Sequence, residues 1–382
     1  MTATDNPPAG FSFLVRNLAA QEDRFRSAFG VLEKALAERA FPACSLAVTL
    51  RGELVANKAL GRFTYDPASP EVTTASLFDL ASLTKVVATT AMAMIFYERG
   101  LLDLEAPVGA VIPEFAGATD DHHSRRDKVT LRMLLAHSSG LPAYEKLFLR
   151  TKTREGLLQA AFTTPLAAVP GARAEYSDIG FIILGVALER LAAENNDSLD
   201  SFCQREVFGP LGMTHTTFKP APALKNSILP TADDHTFRRR LIQGEVQDEN
   251  TSVLGGVAGH AGLFSTAEDL AIFAHAMLNG GHPILRADTV ELFSRRESAP
   301  EGTSYALGWD TPSPPSQSGK YFSANSFGHL GYTGTSLWID ADRQLSITLL
   351  TNRTWPDCAN QAIKQVRPAF HDAVIESLGE SA

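Results

Sequence analysis

The sequence predicts an α/β protein of the α+β type: an antiparallel sheet built from the N- and C-terminal segments, flanked by helices, with a mostly helical inserted subdomain. Three observations predict it. Strand-like segments lie towards the two ends of the chain, and helical patterns dominate residues 83–250. The 382 residues are 44% hydrophobic and 20% charged, which is typical of a globular chain with a large core.

The N-terminal part predicts a loose arm, a helix and a hairpin. Residues 1–15 are expected to form a flexible arm, and apolar residues recur at helical spacing over residues 18–40. The β-rich segment Cys44–Leu50 is followed by the turn residues Arg51-Gly52 and a second strand over Glu53–Ala59. The chain therefore begins helix, strand, strand.

The middle of the chain predicts helices. The segments Leu83–Arg99, Thr130–His137 and 178–194 each show helical periodicity and end at a breaker or a polar stretch. A further helix to about residue 278 is expected to begin at Ser265, with Glu268 completing a capping box.

Strand patterns return near the C-terminus. Thr335–Ile339 and Gln344–Leu350 flank a turn and predict a second hairpin, and a last helix is expected over 358–378. Because strands occur at both ends, we expect the ends to share one sheet, with a cleft where the helical insertion meets it.

This pattern predicts a single domain over residues 16–382. An α/β subdomain would comprise about 16–80 and 255–382, and a helical subdomain about 83–250.

Composition excludes several functions. Lys+Arg 34 against Asp+Glu 43 gives a net charge of −9, and no long basic run is present, so we expect no nucleic-acid partner and no membrane docking. The three cysteines form no CxxC pattern, which favours free thiols. No signal peptide is evident, and the apolar run Val86–Phe96 is too short to span a bilayer. The expectation is a cytoplasmic protein.

The sharpest chemical signal is Ser82-Leu-Thr-Lys85. Asp79 is a good N-cap for a helix from Leu80, which would put Ser82 in the first turn and Lys85 over the same face. The helix is apolar on nearly every side, and its N-terminus is partially positive, so both effects should lower the pKa of Lys85. A neutral amine could take the hydroxyl proton of Ser82 and make it a nucleophile. The alternative is a capping serine and a solvated lysine, because SxxK arises about once by chance in such a chain.

Two further motifs support a site. In Tyr176-Ser-Asp178, a tyrosine hydroxyl beside a lysine can relay a proton, although Asp178 could also be the N-cap of its helix. In the segment Gly328–Thr335, glycines let a ligand lie against the strand, whose N–H could be a second oxyanion donor. The similar His260-Ala-Gly262 is interpreted as a turn before a helix.

The order and spacing of SxxK, Tyr-x-Asp and His-x-Gly resemble the serine β-lactamase and penicillin-binding-protein superfamily. The resemblance is closest to class C β-lactamases and family VIII carboxylesterases, and it covers about residues 25–375. It implies a β-lactamase/transpeptidase-like catalytic domain without metal or organic cofactor. It implies Ser82 as the acylated nucleophile, Lys85 as its proton partner and Tyr176 as the general base that later activates water.

The resemblance also implies that the backbone N–H groups of Ser82 and Tyr332 form the oxyanion hole, and that His329 and Gly331 line the acyl group. The sequence departs from the lactamase pattern where His329 replaces the usual Lys, where Leu330 replaces a small hydroxyl residue, and where Asp178 replaces the usual Asn. A neutral His does not bind a substrate carboxylate as Lys does, and the charge of Asp178 would repel one and hold Lys85 protonated.

These observations favour a carboxylesterase that acts on small or medium acyl esters through Ser82. The alternative is a β-lactamase or D-alanyl-peptide hydrolase, and a non-catalytic binding protein of the same fold is a third possibility. The expected partner is a small-molecule ester or β-lactam-like substrate. No oligomeric state follows from the sequence.

Overall fold

The computed structural model describes residues 15–117, 125–192 and 197–379. The arm predicted over residues 1–15 lies outside the described residues, except for Val15. That residue begins a short strand, and the flexible arm stays a prediction.

The strands are short, and most lie towards the two ends of the chain. They are β1 (Val15–Arg16), β2 (Ala43–Leu50), β3 (Glu53–Gly61), β4 (Phe78–Asp79), β5 (Thr217–Phe218), β6 (Ala232–Asp234), β7 (Arg240–Ile242), β8 (Leu263–Ser265), β9 (Phe327–Leu330), β10 (Ser336–Asp340) and β11 (Leu345–Thr351).

Helices occupy much of the chain between the strands. The α-helices are α1 (Gln21–Arg24), α2 (Arg26–Ala37), α3 (Ala91–Glu98), α4 (Val108–Val111), α5 (Pro113–Ala116), α6 (Leu131–Leu135), α7 (Arg154–Phe162), α8 (Asp178–Leu191), α9 (Leu199–Cys203), α10 (Gly209–Leu211), α11 (Glu249–Val253), α12 (Ala267–Leu278), α13 (Ala287–Ser294) and α14 (Ile363–Ser377). Short 3-10 helices cover Ala81–Leu83, Arg126–Lys128, Leu147–Leu149 and Pro222–Ser227, and π-helical turns cover Lys85–Thr90 and Gln204–Phe208.

The main sheet joins the two ends of the chain, as the sequence predicts. Its order is β1-β3-β2-β11-β10-β9, and the central β2–β11 pair is antiparallel, with Leu50 opposite Leu345 and Cys44 opposite Thr351. Both predicted hairpins, β2–β3 and β10–β11, are present. One pair departs from the antiparallel prediction, because β1 lies parallel to β3.

Side chains alternate between the two faces of the sheet, and each face is covered by helices. Leu46 and Trp338 point to a core shared with α2 and α14. Ala47 and Leu337 point to a larger core that includes α12 and most of the middle section. Strand β9 is the edge of the sheet next to that middle section. The division into two subdomains at the predicted bounds stays a prediction.

Two local predictions are wrong because strand pairing competes with helix capping. Ser265 ends strand β8, so Thr266 caps α12 instead and accepts a hydrogen bond from the backbone N–H of Asp269. Glu268 does not complete a capping box. Its carboxylate accepts hydrogen bonds from Asn57 (2.9 Å) and Arg16.

The helical segment begins at Ala81, next to the predicted start near Leu80, but its N-cap is Leu80 and not Asp79. Asp79 is held in strand β4 by pairing with Phe264 of β8, and the chain then turns abruptly. Ala81 has a φ of 47°, in the left-handed region, and the helical segment begins there as a 3-10 turn before it widens into the π-helical turn over Lys85–Thr90. A non-glycine residue in this conformation is strained, so the turn is over-determined by its surroundings.

A candidate serine hydrolase active site

Ser82 lies at a sharp strand-to-helix turn at the base of a cleft. The carboxylate of Asp79 accepts hydrogen bonds from the backbone N–H of Ala81 (2.8 Å) and of Gln247 (2.6 Å), which holds the turn in place. Burial raises the pKa of Asp79 to about 6. The nucleophile candidate is therefore positioned by the turn that places it beside Lys85, rather than by a regular helix.

Lys85 is fully buried and donates three hydrogen bonds. Its Nζ contacts Ser82 Oγ at 3.0 Å, Asp178 Oδ1 at 2.6 Å and the carbonyl oxygen of His260 at 3.1 Å. Burial lowers the pKa of Lys85, as the sequence predicts, and the charge of Asp178 opposes that shift. Three acceptors around one ammonium leave Lys85 fully hydrogen-bonded behind Ser82.

Tyr176 also contacts the serine. Its hydroxyl lies 2.6 Å from Ser82 Oγ and 3.1 Å from Asp178 Oδ1. Burial and the nearby charge of Asp178 raise the pKa of Tyr176 well above its usual range. The group is therefore a neutral phenol that donates a hydrogen bond, and it is not a phenolate base in the resting site.

Asp178 connects these groups and does not cap its helix. Ser177 is the N-cap of α8, since its hydroxyl accepts a hydrogen bond from the backbone N–H of Gly180 (3.0 Å). Asp178 is the first residue of α8, and its carboxylate faces Lys85 and Tyr176. The prediction that Asp178 also caps its helix is therefore wrong, because the preceding Ser177 occupies the N-cap position.

His329 lies on β9 in the same site, with its ring centroid 6.0 Å from that of Tyr176. Its Nδ1 donates a hydrogen bond to the carbonyl oxygen of Leu330 at 2.8 Å. Burial and the nearby charge of Lys85 lower the pKa of His329 to about 3. The imidazole is therefore neutral at pH 7, so this position carries no cation for a substrate carboxylate.

The loop between β9 and β10 is attached directly to the turn before Ser82. Thr333 Oγ1 donates to the carbonyl oxygen of Asp79 (2.7 Å), and Thr335 Oγ1 donates to that of Leu80 (2.9 Å). Gly331 packs so closely that a Cβ there would lie 2.5 Å from the Leu80 oxygen. These contacts place the backbone of Tyr332 at the same end of the cleft as Ser82.

The structure also shows supporting residues to which the sequence assigned no role in the site. His260, interpreted as a turn residue, is buried, and its Nε2 lies 2.9 Å from Asp248 Oδ1 while its carbonyl oxygen accepts from Lys85. His137 stacks 4.8 Å from the Tyr176 ring, and its Nδ1 accepts from the backbone N–H of Ser177. For His260 the sequence offered the His-x-Gly pattern, which was interpreted as a turn before a helix.

The cleft in front of Ser82 has a volume of about 810 Å³. That volume suits a small or medium substrate. Its walls carry acidic side chains (Asp248, Glu249, Asp310), basic ones (Lys146, Arg353, Lys364, Arg367) and aromatic ones (Tyr144, Phe148, Tyr305).

Within residues 15–117, 125–192 and 197–379, no three His, Cys, Asp or Glu side chains come together as metal ligands. In those same ranges, no helix combines the length and apolar character needed to cross a bilayer.

The fold and the site define a class of protein. Residues 29–368 match the family model described as Beta-lactamase, so the chain belongs to the β-lactamase family. This confirms the resemblance drawn from the three motifs. The chain is accordingly a member of a serine hydrolase family with the β-lactamase and penicillin-binding-protein fold.

Two relatives of the chain have names that refer to the hydrolysis of amide bonds. The chain is 32% identical over 348 residues to the N-acetylmuramyl-L-alanine amidase of Bacillus subtilis, with 82% of this chain and 77% of the relative covered. It is 33% identical over 359 residues to a Salmonella agona protein with the provisional name D-alanyl-D-alanine carboxypeptidase, with 85% and 81% covered.

Similar solved structures support the fold. EstCE1, a hydrolase with promiscuous acyltransferase activity, aligns with a TM-score of 0.74 at 20% identity, covering 93% of this chain and 100% of that one. The octameric penicillin-binding protein homologue from Pyrococcus abyssi aligns with a TM-score of 0.71 at 21% identity, covering 93% and 77%.

Proposed function

We propose that this protein is a carboxylesterase that hydrolyses small or medium acyl esters through a covalent acyl-enzyme on Ser82. The observation that carries the proposal is the pair of contacts on one oxygen: Ser82 Oγ lies 3.0 Å from Lys85 Nζ and 2.6 Å from the hydroxyl of Tyr176. Ser82 and Tyr176 both line the cleft, where a substrate carbonyl can reach the serine.

Acylation needs an acceptor for the serine proton. Lys85 becomes that acceptor in its neutral amine form, which burial favours by lowering the pKa of the lysine. The freed amine lone pair takes the Ser82 proton while Oγ forms a bond to the ester carbonyl carbon. The carbonyl π pair moves onto oxygen, and the backbone N–H groups of Ser82 and Tyr332 are assigned to stabilise that oxyanion.

Collapse of the tetrahedral species re-forms the carbonyl and breaks the bond to the alcohol oxygen. Tyr176 is a neutral phenol beside Ser82, so we assign it the donation of a proton to the departing alkoxide, after which Lys85 returns a proton to Tyr176. In deacylation a water repeats the attack, with the same groups accepting its proton and returning one to Ser82. This assignment changes the role that the resemblance implies for Tyr176 from general base to proton relay.

The charges of the side chains near Ser82 favour an ester over a β-lactam as the substrate. His329 is neutral where β-lactamases and penicillin-binding proteins usually have Lys, so no cation stands beside Tyr176 on β9. The carboxylate of Asp178 adds a negative charge beside Lys85 and Tyr176. A substrate with an uncharged acyl group near Ser82 meets neither obstacle.

Amide hydrolysis is the second candidate, and the names of the relatives favour it. The B. subtilis and S. agona proteins, at 32% and 33% identity, carry the names of an amidase and a carboxypeptidase. A neutral Tyr176 also suits an amine leaving group, which must be protonated before it departs. The Ser82 acyl-enzyme is common to both candidates.

One comparison of substrates separates these functions. The purified protein is offered a short-chain p-nitrophenyl ester, a chromogenic cephalosporin and a peptide that ends in D-Ala-D-Ala. Fast ester turnover with little reaction of the other two supports the esterase proposal, and preferential cleavage of the cephalosporin or the peptide contradicts it.

A serine-directed phosphonate tests the nucleophile itself. We expect a mass adduct on Ser82 in the wild type and none in Ser82→Ala, with both proteins equally stable because the serine hydroxyl adds little packing. Absence of turnover and of an adduct in the wild type would support the non-catalytic interpretation. The cytoplasmic location and the absence of a nucleic-acid partner stay predictions.

A further inference from the structure

The short segment that carries Tyr176 is held on both sides by one buried histidine. His137 lies two residues beyond the end of helix α6 and is 2% exposed. Its carbonyl oxygen accepts a hydrogen bond from the backbone N–H of Glu175 at 2.8 Å. Its Nδ1 accepts another from the backbone N–H of Ser177 at 3.1 Å. The residues before and after Tyr176 are therefore both tied to His137.

The imidazole of His137 also packs against the phenol of Tyr176. Their ring centroids lie 4.8 Å apart, with an interplanar angle of 39°. A third ring, that of Phe181 on α8, lies 5.1 Å from the imidazole and 5.5 Å from Lys85 Nζ. His137 therefore contacts Tyr176 through its ring as well as through the flanking backbone.

These contacts require a neutral imidazole with its proton on Nε2. Because Nδ1 accepts a hydrogen bond from a backbone N–H, it cannot carry a proton of its own. Burial and the nearby charge of Lys85 lower the pKa of His137 well below its usual range, which agrees with that geometry. An imidazolium would direct a second N–H against that of Ser177, so the contact would be lost.

The other ring nitrogen shows what the histidine contributes. Its Nε2 is buried and has no hydrogen-bond partner in the part of the chain that the structure describes, and an unpaired buried N–H is costly. An apolar side chain would fill this space without that cost, but it would supply no acceptor for the Ser177 N–H. The Nδ1 contact is therefore the property that sets histidine apart at this position.

The start of helix α8 has restraints of its own. Ser177 Oγ donates a hydrogen bond to the carbonyl oxygen of Pro142 at 2.7 Å, and the backbone N–H of Asp178 donates to that of Ala143 at 2.8 Å. These bonds hold the first turn of α8 independently of the His137 side chain. Loss of that side chain should therefore loosen the phenol while leaving Asp178 and the helix in place.

We propose that His137 is a positioning residue that holds residues 175–177 so that the hydroxyl of Tyr176 stays on Ser82 Oγ. That hydroxyl keeps its 2.6 Å contact with Ser82 and its 3.1 Å contact with Asp178 only while the backbone behind it is fixed. The inference rests on the proposed function, because it concerns the proton that Tyr176 donates to the departing group. His137 acts through Tyr176 and does not itself exchange a proton with the substrate.

Two substitutions separate the acceptor from the backbone conformation. His137 has a φ of 55°, in the left-handed region, which Gly and Asn adopt with less strain than other residues. His137→Gly removes the ring and Nδ1. His137→Asn restores an acceptor, since its Oδ1 is bonded to Cγ as Nδ1 is. If His137→Gly does not fold, His137→Phe, which keeps a ring without an acceptor, takes its place with the same expectation.

Leaving-group selectivity tests the positioning during turnover. An ethyl ester and a p-nitrophenyl ester of the same acid are compared, because ethoxide needs a proton from Tyr176 as it departs and p-nitrophenolate does not. In His137→Gly, kcat/KM for the ethyl ester should fall about tenfold or more relative to that for the p-nitrophenyl ester, and His137→Asn should recover most of this ratio. A ratio unchanged in His137→Gly, or not restored by the acceptor in His137→Asn, overturns the proposal.

Phe162→Leu is the control for a loss of stability alone. Phe162 is buried in the core that contains Phe181, beside Arg190 in the last turn of α8, about 18 Å along that helix from Asp178. The substitution should lower the melting temperature, followed by circular dichroism, and leave the ratio of the two kcat/KM values unchanged. A ratio that falls in this control as it does in His137→Gly would assign the effect to stability and also overturn the proposal.

Nuclear magnetic resonance tests the contact without turnover. With histidine labelled by ¹⁵N, the His137 ring is identified by its absence from the spectrum of His137→Asn. It should be neutral and protonated on Nε2 from about pH 6 to about pH 8. A proton on Nδ1, or an imidazolium in this range, contradicts the proposal. If the ring has the expected form but the wild type hydrolyses neither ester, the esterase proposal fails and the assignment of His137 stands.

Discussion

The substitution Gly331→Ala should push the β9–β10 loop, which carries Tyr332, away from the turn before Ser82. A Cβ at Gly331 would lie 1.9 Å from Thr335 Oγ1 and 2.5 Å from the carbonyl oxygen of Leu80. Thr335 can turn away only by breaking its own 2.9 Å hydrogen bond to Leu80, and the Leu80 backbone oxygen cannot move without moving the turn before Ser82. The loop that carries Tyr332 must therefore shift.

The size of the effect follows from these contacts. Ordinary van der Waals separation requires a displacement of roughly 1 Å, and a misplacement of about 1 Å in a catalytic site costs about 100-fold in rate. The lost buried hydrogen bond costs about 1–3 kcal/mol of folding free energy. We therefore expect kcat/KM for a p-nitrophenyl ester to fall about 100-fold, with a loss of thermal stability too small to unfold the protein at assay temperature.

The assay is steady-state hydrolysis combined with the rate of phosphonate labelling of Ser82, and thermal unfolding is followed by circular dichroism. Gly30→Ala is the matched control, because a Cβ at Gly30 of α2 meets nothing within 4 Å and alanine favours a helix. It should be fully active and equally or more stable. A Gly331→Ala protein with kcat/KM within threefold of the wild type would refute the proposed coupling of the loop to the serine turn.

Three other predictions concern the lysine, its carboxylate and the thiols. Asp178→Asn removes the negative charge that favours the ammonium form of Lys85, so the pKa of Lys85 should fall further. The rising limb of the plot of kcat/KM against pH should therefore move to lower pH. A limb that stays in place or moves to higher pH contradicts the ion pair. Lys85→Ala should slow ester turnover and phosphonate labelling by about 10²–10⁴-fold, and near-normal labelling would assign the proton transfer to another group. An aromatic disulfide reagent should titrate Cys358 rapidly, while Cys44 and Cys203, which are buried and have a raised pKa, react only on unfolding; a second fast thiol would show that one of those cores opens.

Much of the fold could be predicted because its signals are local. The β2–β3 and β10–β11 hairpins follow from alternating apolar residues around turns, and the central helices follow from periodicity. The parallel β1–β3 pair and the strand that holds Asp79 escaped prediction, because each is two residues long and depends on a partner distant in the chain. The predicted helix caps at Ser265 and Asp178 were wrong, because a neighbouring residue occupies each N-cap position.

The features of the candidate site also divide into those that the sequence predicted and those that it could not predict. The sequence supported Ser82, Lys85 and Tyr176 as one group, since three motifs in order predict their convergence, and the structure brings them within hydrogen-bond distance. The resting protonation of Tyr176 could not be predicted, because it depends on the burial of the phenol and on a carboxylate from the next helix. The His260 carbonyl that accepts from Lys85 is a backbone atom and leaves no signature in residue types.

The sequence by itself predicted which residues carry the proposed chemistry and that the two ends of the chain meet in one sheet, because residue type and short-range periodicity indicate both. Tertiary structure decided the electrostatics: which acids are paired and which imidazoles are neutral. The physical reason is that desolvation and Coulomb energy depend on distances between groups from distant parts of the chain, and those distances exist only after the core has packed.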